Sequence, residues 1–252
     1  MDFLANYFGS LNPMSFLSAL PGNIAQGIIW GLMGLGVFLT FKLLNFADLS
    51  VDGSFATGGA VTAVMLINGC PVWATIIVAI LAGLAAGLVT GLLHTLLGIP
   101  DILAGILTQI ALYSINLNIM GKSNLPISYR NYTLVVSASN INMAILVGLG
   151  ICAVVIAAMY WYFGTEQGST IRSTGSNPAM SKAQGININF TKVIALALSN
   201  GLVALSGSLF AQYQGFADIN MGRGAIVIGL AAVIIGEVLG LSLIHISEPT
   251  RQ

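Results

Sequence analysis

The stretch PVWATIIVAILAGLAAGLVTGLLHTLLGIP, residues 71–100, decides the fold because it contains no charged side chain. It belongs to a longer uncharged stretch, residues 53–100, which as a single helix would be about 72 Å long. The hydrocarbon core of a bilayer is about 30 Å thick, so a helix crosses it with about 20 apolar residues. The stretch therefore crosses a membrane twice, and Gly69-Cys70-Pro71 supplies the break between two helices.

The composition of the whole chain agrees with a membrane location. Of 252 residues, 56% are hydrophobic and only 6% are charged, with a mean hydropathy of +0.92; a soluble domain has about 25% charged residues. Too little polar surface remains to cover a water-soluble core, which excludes a soluble enzyme and a disordered protein. The net charge is zero and Lys and Arg are not clustered, so nucleic acid is excluded as a partner.

Strand-type alternation is absent, and Gly, Ala, Leu and Ile dominate the apolar stretches, which favours helices over a barrel. We predict an all-α, polytopic transmembrane helix bundle. The predicted segments are 24–41, 54–68, 72–97, 102–120, 141–163, 193–212 and 224 to about 240. The segment 54–68 is short and opens with small residues, so a broken or partly re-entrant helix is predicted there.

Glycines at helical spacing predict close packing between helices. Gly83, Gly87 and Gly91 fall at i, i+4 and i+8, which puts them on one stripe of the helix 72–97. Such a stripe lets another backbone approach closely. Gly27 and Gly31 repeat the spacing in the first segment, where the same packing is expected.

Orientation is predicted from Lys and Arg in the loops. The polar loop 164–192, with Arg172, Lys182 and Lys192, is placed in the cytoplasm together with the loop 42–53. The loops 121–140 and 222–224 are then outside. No cluster of His, Cys, Asp or Glu has catalytic or metal-ligand spacing, so we predict no catalytic residue, no metal and no cofactor held by this chain.

The loop 164–192 contains signals for a short helix. Asn177 suits an N-cap, Pro178 the first helical position and Gly185 the position after the helix end. They bracket a helix over 178–184, with Ala179, Met180 and Ala183 on one face. A two-turn helix has little reason to form alone, so two interpretations stay open: a solvated loop, or a docking helix for a cytoplasmic partner.

Three sequence blocks, in this order, carry a family resemblance: NFADLSVDGSFATGG (45–59), RSTGSNPAMSKAQG (172–185) with its continuation to ALSNGLVALSG (197–207), and AQYQGFADINMGRG (211–224) running on to AAVIIGE (231–237). Together they resemble the inner-membrane permeases of ATP-binding cassette (ABC) importers. The similarity is greatest to the branched-chain amino acid type, in particular to relatives called uncharacterised or tryptophan/tyrosine transport permeases. The resemblance covers about residues 20–240.

The resemblance implies a permease domain over 1–240 that forms the translocation pathway for an amino acid or similar small organic solute. It implies a multi-pass protein of the bacterial inner membrane, in contact with lipid. Three partners are implied: a cytoplasmic ATPase subunit that binds the ATP, a second permease copy or paralogue, and an extracytoplasmic substrate-binding protein. The implied coupling helix, which sits in a groove of the ATPase, involves Arg172, Gly175, Asn177, Pro178, Ala179, Ala183 and Gly185.

Other polar residues within or beside apolar segments are weaker candidates. Gln109, Asn116 and Asn200 are expected to face the bundle interior, because buried polar groups are costly in lipid. Interhelical bonding and lining of the pathway both stay open for them. Asp48 and Asp52 are expected to cap the N-terminus of the helix that follows them. Asp218 and Arg223 are expected to pair in an outside loop, near a docking site for the binding protein.

Three alternatives to the importer subunit stay open. A stand-alone secondary transporter or channel would need ionisable residues inside the membrane, and Glu237 is the one expected there. A membrane-embedded enzyme would need a catalytic cluster. A purely structural assembly subunit would be compatible with the capped helix at 178–184.

Residues 241–251, LSLIHISEPTR, are interpreted separately. They resemble the translation of a transposon-type sequencing adaptor, so we predict that 241–252 is non-native and that the natural C-terminus is missing. On this prediction His245, Glu248 and Arg251 have no function.

Overall fold

The computed structural model describes residues 13–127, 134–137 and 140–247, and within these ranges the chain is almost entirely helical. The helices are α1 (Pro13–Phe38), which continues into a π-helical turn (Leu39–Leu43), α2 (Val51–Ile67), α3 (Val72–Leu97), α4 (Asp101–Met120), α5 (Ile141–Phe163), α6 (Glu166–Ser176), α7 (Pro178–Ala183), α8 (Ile188–Gln214) and α9 (Ala225–Ser247). Two short strands, β1 (Asn124–Pro126) and β2 (Phe216–Asp218), pair antiparallel. The predicted all-α fold class is confirmed.

In the described ranges, five helical segments are long and apolar enough to cross a membrane: Ala19–Leu43, Val72–Leu97, Asp101–Met120, Ile141–Phe163 and Ile188–Gln214. Two apolar helical segments are shorter, Val51–Ile67 and Ala225–Leu239. The seven predicted segments all coincide with these helices. The structure adds α6, an amphipathic helix in the loop 164–192, where the sequence predicted only the short helix that follows it.

Helix α2 is continuous, so the prediction of a broken helix at 54–68 is wrong. Its hydroxyl side chains bond back to carbonyl groups of the same helix: Thr57 to Gly53 over 2.9 Å and Thr62 to Gly58 over 2.8 Å. These bonds satisfy the polar side chains without interrupting the helix. Small residues let α2 lie deep in the bundle, and most of its side chains are buried.

Helix α8 is the centre of the bundle and contacts α1, α2 and α3. The predicted glycine stripe of α3 lies against it: a Cβ atom at Gly83 or Gly87 would collide with the carbonyl group of Asn200 or Leu196. The close approach predicted for this stripe is therefore confirmed. For Gly27 the prediction is wrong, because an added Cβ would meet nothing within 4 Å, and Gly31 is equally open.

Helices α2 and α9 begin in the middle of the bundle, at the level of the midpoint of α8, and not at its cytoplasmic or outer end. Ser54, in the first turn of α2, bonds to Asn200, which lies at the midpoint of α8. The segment between β2 and α9 also returns inward, so that Gly222 lies against the carbonyl group of Asp52. Because α8 is a span of 27 residues, its midpoint lies well inside the hydrocarbon layer. The N-termini of α2 and α9 therefore meet at mid-span.

Candidate functional site: a polar mid-span region and a capped helix at one end

Four buried polar side chains form a hydrogen-bond network at mid-span, which we call the mid-span network: Asp48, Ser50, Ser54 and Asn200. Each is at most 2% exposed. Asn200 Nδ2 donates to Asp48 Oδ2 over 2.7 Å, and Asn200 Oδ1 accepts from Ser54 Oγ over 2.6 Å. The Ser50 backbone N–H donates to Asp48 Oδ1 over 2.9 Å. Of the two roles left open for Asn200, these contacts match interhelical bonding.

The path of the chain before α2 explains how Asp48 reaches this depth. After the π-helical turn, Asn45 adopts a positive φ of 54° and the chain turns back along the bundle. Phe46 then packs edge-on against His94, with 5.0 Å between ring centroids. Gly105 of α4 admits the backbone of Leu49, since a Cβ there would lie 2.6 Å from the Leu49 nitrogen. The prediction that the whole loop 42–53 lies at the cytoplasmic surface is therefore wrong.

Asp52 caps a helix, but not the one that was predicted. Its carboxylate accepts from the backbone N–H of Gly224 over 3.0 Å and of Ile226 over 2.9 Å. These groups belong to the start of α9, where backbone donors lack partners within the helix. A carboxylate is favourable there because the helix dipole is positive at its N-terminus. Asp48, in turn, bonds to Ser50 and Asn200 and not to the first turn of α2 proper.

Beside Asp52 lies a cavity of about 280 Å³, which we call the α4 pocket. Its polar lining side chains come from three elements: Asp52 from α2, Gln109, Tyr113 and Asn116 from α4, and Arg223 from the segment before α9. The sequence singled out four of these five, but it did not predict that they share a site. Gln109 and Asn116 line this pocket, and their role in the translocation pathway stays a prediction.

Tyr113 was missed by the sequence analysis, although a signal was present. Gln109, Tyr113 and Asn116 lie at i, i+4 and i+7, which places them on one face of a helix. Asn118, two residues beyond Asn116, is exposed on another face of α4. Ser50 and Ser54 were also missed, since a serine in a membrane helix usually bonds only to its own backbone.

Asp218 and Arg223 do not pair, so that prediction is wrong. Asp218 accepts from Asn124 Nδ2 over 3.4 Å and from the Asn220 backbone N–H over 2.7 Å. It thereby fixes the turn after β2. Across the described part of the chain, the single salt bridge joins Lys42 to Glu237, and both of those side chains are a little under half exposed. Glu237 lies in the apolar segment Ala225–Leu239, so its expected place within the membrane stays a prediction. Among the described residues, the packing described above also brings Asp48, Asp52 and Arg223 to mid-span.

At one end of the bundle, α6 and α7 form a capped helix pair. Asn177 Oδ1 accepts from the Met180 backbone N–H over 3.0 Å, Pro178 occupies the first turn of α7, and Gly185 has a φ of 82°. The short helix and its caps are thus confirmed. Ala179, Met180 and Ala183 are all exposed, and Met180 has 57% of its surface accessible.

The helix pair is held against the π-helical turn and the end of α5. A Cβ at Gly175 would collide with the carbonyl oxygen of Leu43, so only glycine allows this contact. Arg172 Nη2 donates to the Phe163 carbonyl oxygen over 2.9 Å and so satisfies the C-terminal end of α5. Of the predicted coupling residues, Arg172 and Gly175 therefore position the pair, while Ala179 and Ala183 are on its free surface.

A multi-pass helical protein with buried polar groups at mid-span and a docking-type helix at one end has the features of a membrane transport subunit. The family described as "Branched-chain amino acid transport system / permease component" matches residues 22–246. The chain belongs to this family of transport permeases, and it is a multi-pass protein of the bacterial inner membrane.

Three relatives illustrate the similarity. The chain is 43% identical over 235 residues to a tyrosine transport system permease protein of Clostridioides difficile, covering 93% of this chain and 78% of that one. It is 32% identical to an uncharacterised protein of Rickettsia prowazekii, covering 88% and 78%. It is 28% identical to a D-allose transport system permease protein of Escherichia coli, covering 91% and 71%. No solved structure matches the chain significantly.

Proposed function

We propose that this chain is the pathway-forming permease subunit of an ABC importer that carries an amino acid or a similar small organic solute. The family supplies the class of transporter. The observation that carries the proposal is α7: a helix capped at both ends whose apolar face is exposed. A helix this short is stable only with outside support, and a groove of an ATPase subunit supplies that support.

The solute class rests on the relatives' names. The tyrosine permease is 43% identical and the D-allose permease 28% identical, so an amino acid is favoured over a sugar. The finer partner assignments are part of the proposal: an ATPase at α7, a second permease copy that completes the pathway, and a substrate-binding protein at the opposite end.

Energy for transport would come from the ATPase partner and not from this chain. Gly121-Lys122-Ser123 resembles the end of a phosphate-binding loop, but it follows the helix α4 instead of a strand. The position five residues before Gly121 is Asn116, where the loop needs a glycine. In our proposal ATP binding closes the ATPase dimer, displaces α7 and shifts the permease between inward-open and outward-open states.

A co-purification experiment tests the ATPase contact. The permease is co-expressed with an ABC ATPase subunit of the same source organism, and the ATPase that co-purifies with it is quantified. Asn177→Arg combined with Ala179→Arg removes the cap and adds bulk to the free face, so bound ATPase should fall at least about tenfold, the effect of about 1.4 kcal/mol.

The matched control places two arginines at the other end of the bundle, Ser123→Arg with Asn220→Arg, both at exposed positions. This variant should hold as much ATPase as the wild type. If the wild type, folded by size-exclusion chromatography, holds no ATPase, the importer proposal is overturned. Equal loss in both double variants would place the contact somewhere other than α7.

A further inference from the structure

We infer that the α4 pocket is a binding site for the transported solute at mid-span, and that this solute is a small zwitterion whose carboxylate binds Arg223. The inference rests on the proposed function and names the residues and the ligand chemistry. Three observations carry it: a buried side-chain amide without hydrogen-bond partners, two charged side chains that do not pair with each other, and the size of the cavity.

The orphaned group is the side-chain amide of Asn116. The residue is 0% exposed, yet among the residues that the structure describes neither its Nδ2 nor its Oδ1 has a hydrogen-bond partner. Buried polar groups in folded proteins are nearly always paired, and in lipid no solvent is available to compensate. Asn116 lines the α4 pocket, and its amide atoms are enclosed by the wall of that pocket. A polar ligand therefore supplies the missing donor and acceptor once the side chains that cover the amide shift.

The two charges are Asp52 and Arg223, which line the same cavity without pairing with each other. Asp52 is fixed by two backbone N–H groups of the α9 start. Within the described ranges, no carboxylate lies within 4.0 Å of the Arg223 guanidinium. The Arg223 side chain is exposed at the edge of the cavity, and an arginine at this depth of a membrane is costly without a counter-charge. A carboxylate on the ligand would neutralise it, while an ammonium group on the same ligand would face Asp52.

The remaining walls suit a small molecule with an apolar or aromatic side chain. The cavity of about 280 Å³ lies just below the range for drug-sized ligands, about 300–1,000 Å³, so it suits a smaller molecule. Ile110 and Tyr113 border it, and both are exposed on the outer side of α4. The pocket therefore opens along the exposed face of α4.

The test is uptake into proteoliposomes that contain the permease, its ATPase and its binding protein. Two probes are used separately: an equimolar mixture of the twenty ¹⁴C-labelled standard L-amino acids, and ¹⁴C-labelled D-allose as a small neutral solute. Arg223→Gln should lower ATP-dependent amino acid uptake about tenfold, because a hydrogen bond to a charged group is lost. Asn116→Leu should lower it about fivefold.

The matched control is Asn118→Leu, the same change two residues along α4 at an exposed position, which should transport like the wild type. Asn116→Leu has a second readout, because removing an unpaired buried amide should leave the unfolding temperature unchanged or raise it. Loss of uptake with an intact fold and bound ATPase therefore separates ligand binding from a structural role.

Three outcomes overturn the inference while the importer proposal stands. Amino acid uptake that is insensitive to Arg223→Gln and Asn116→Leu would show that the α4 pocket does not bind the transported solute. Uptake of D-allose without uptake of amino acids would exclude a zwitterion. If the complex hydrolyses ATP but takes up neither probe, amino acids are not the transported solute and the inference is overturned. Failure of the wild-type permease to bind the ATPase would instead overturn the proposed function, and the inference would fall with it.

Discussion

Replacing Asn200 by leucine tests whether the mid-span network holds the bundle together. Leucine has a similar size but cannot form hydrogen bonds, so the change removes the bond to Asp48 over 2.7 Å and the bond to Ser54 over 2.6 Å. It also removes weaker bonds to Ser50 Oγ and to the Leu196 carbonyl oxygen. These add little to the loss, because Ser50 still bonds to Asp48 and the carbonyl still accepts within the helix. Asp48 then keeps only its bonds to Ser50, and the hydroxyl of Ser54 loses its partner. Both groups are inaccessible to solvent.

The expected loss follows from the kinds of bond removed. A hydrogen bond to a charged group contributes about 2 kcal/mol and a neutral one about 1 kcal/mol, so the free energy of unfolding should fall by about 3 kcal/mol. For a chain of this length, 1 kcal/mol lowers the unfolding temperature by about 2–4 °C. The variant should therefore unfold about 6–12 °C below the wild type.

Intrinsic tryptophan fluorescence of the detergent-purified permease can follow unfolding, because Trp30 stacks on Phe55 in the core at 5.2 Å. The matched control is Asn118→Leu, which should unfold like the wild type. In addition, Asp48→Asn should make Asn200→Leu less damaging, since no buried charge is then left short of a partner. A variant Asn200→Leu that unfolds within about 1 °C of the control would refute the reasoning.

Two further changes probe the contacts that position the ends of helices. Gly175→Ala places a Cβ on the Leu43 carbonyl and should cost about 1–3 kcal/mol through overpacking; Gly150→Ala, in open space on α5, should cost nothing measurable by the same thermal assay. Asp52→Asn weakens the cap on α9, so amide hydrogen exchange at Gly224 should rise about tenfold, the effect of about 1.4 kcal/mol; unchanged exchange there would remove Asp52 from this role.

The parts of the site that could be predicted from sequence are those made by neighbours in the chain. The helix α7 is one, because Asn177, Pro178 and Gly185 act on backbone groups within a few residues of themselves. The stripe Gly83–Gly91 is another, since helical spacing alone puts its members on one face. Patterns of this kind can be interpreted without knowing which residues pack against them.

The parts that could not be predicted depend on contacts between distant residues. Asp52 looked like a cap for its own helix, yet it caps α9, which begins more than 170 positions later. Arg223 was expected at the membrane surface, because a loop that follows a long apolar segment normally lies beyond the hydrocarbon layer. Only the inward return of the segment before α9 brings it to the α4 pocket.

The sequence by itself therefore determined that this protein lies in a membrane, that its fold is all-α, and to which family it belongs. These follow from the composition, from the length of the apolar stretches and from the order of local motifs along the chain. None of the three depends on contacts between distant residues. Only the tertiary structure decided where the polar groups of the interior meet. Backbone turns at Asn45 and before α9 set the depth of Asp48, Asp52 and Arg223, and depth is a consequence of packing between helices that no local pattern encodes.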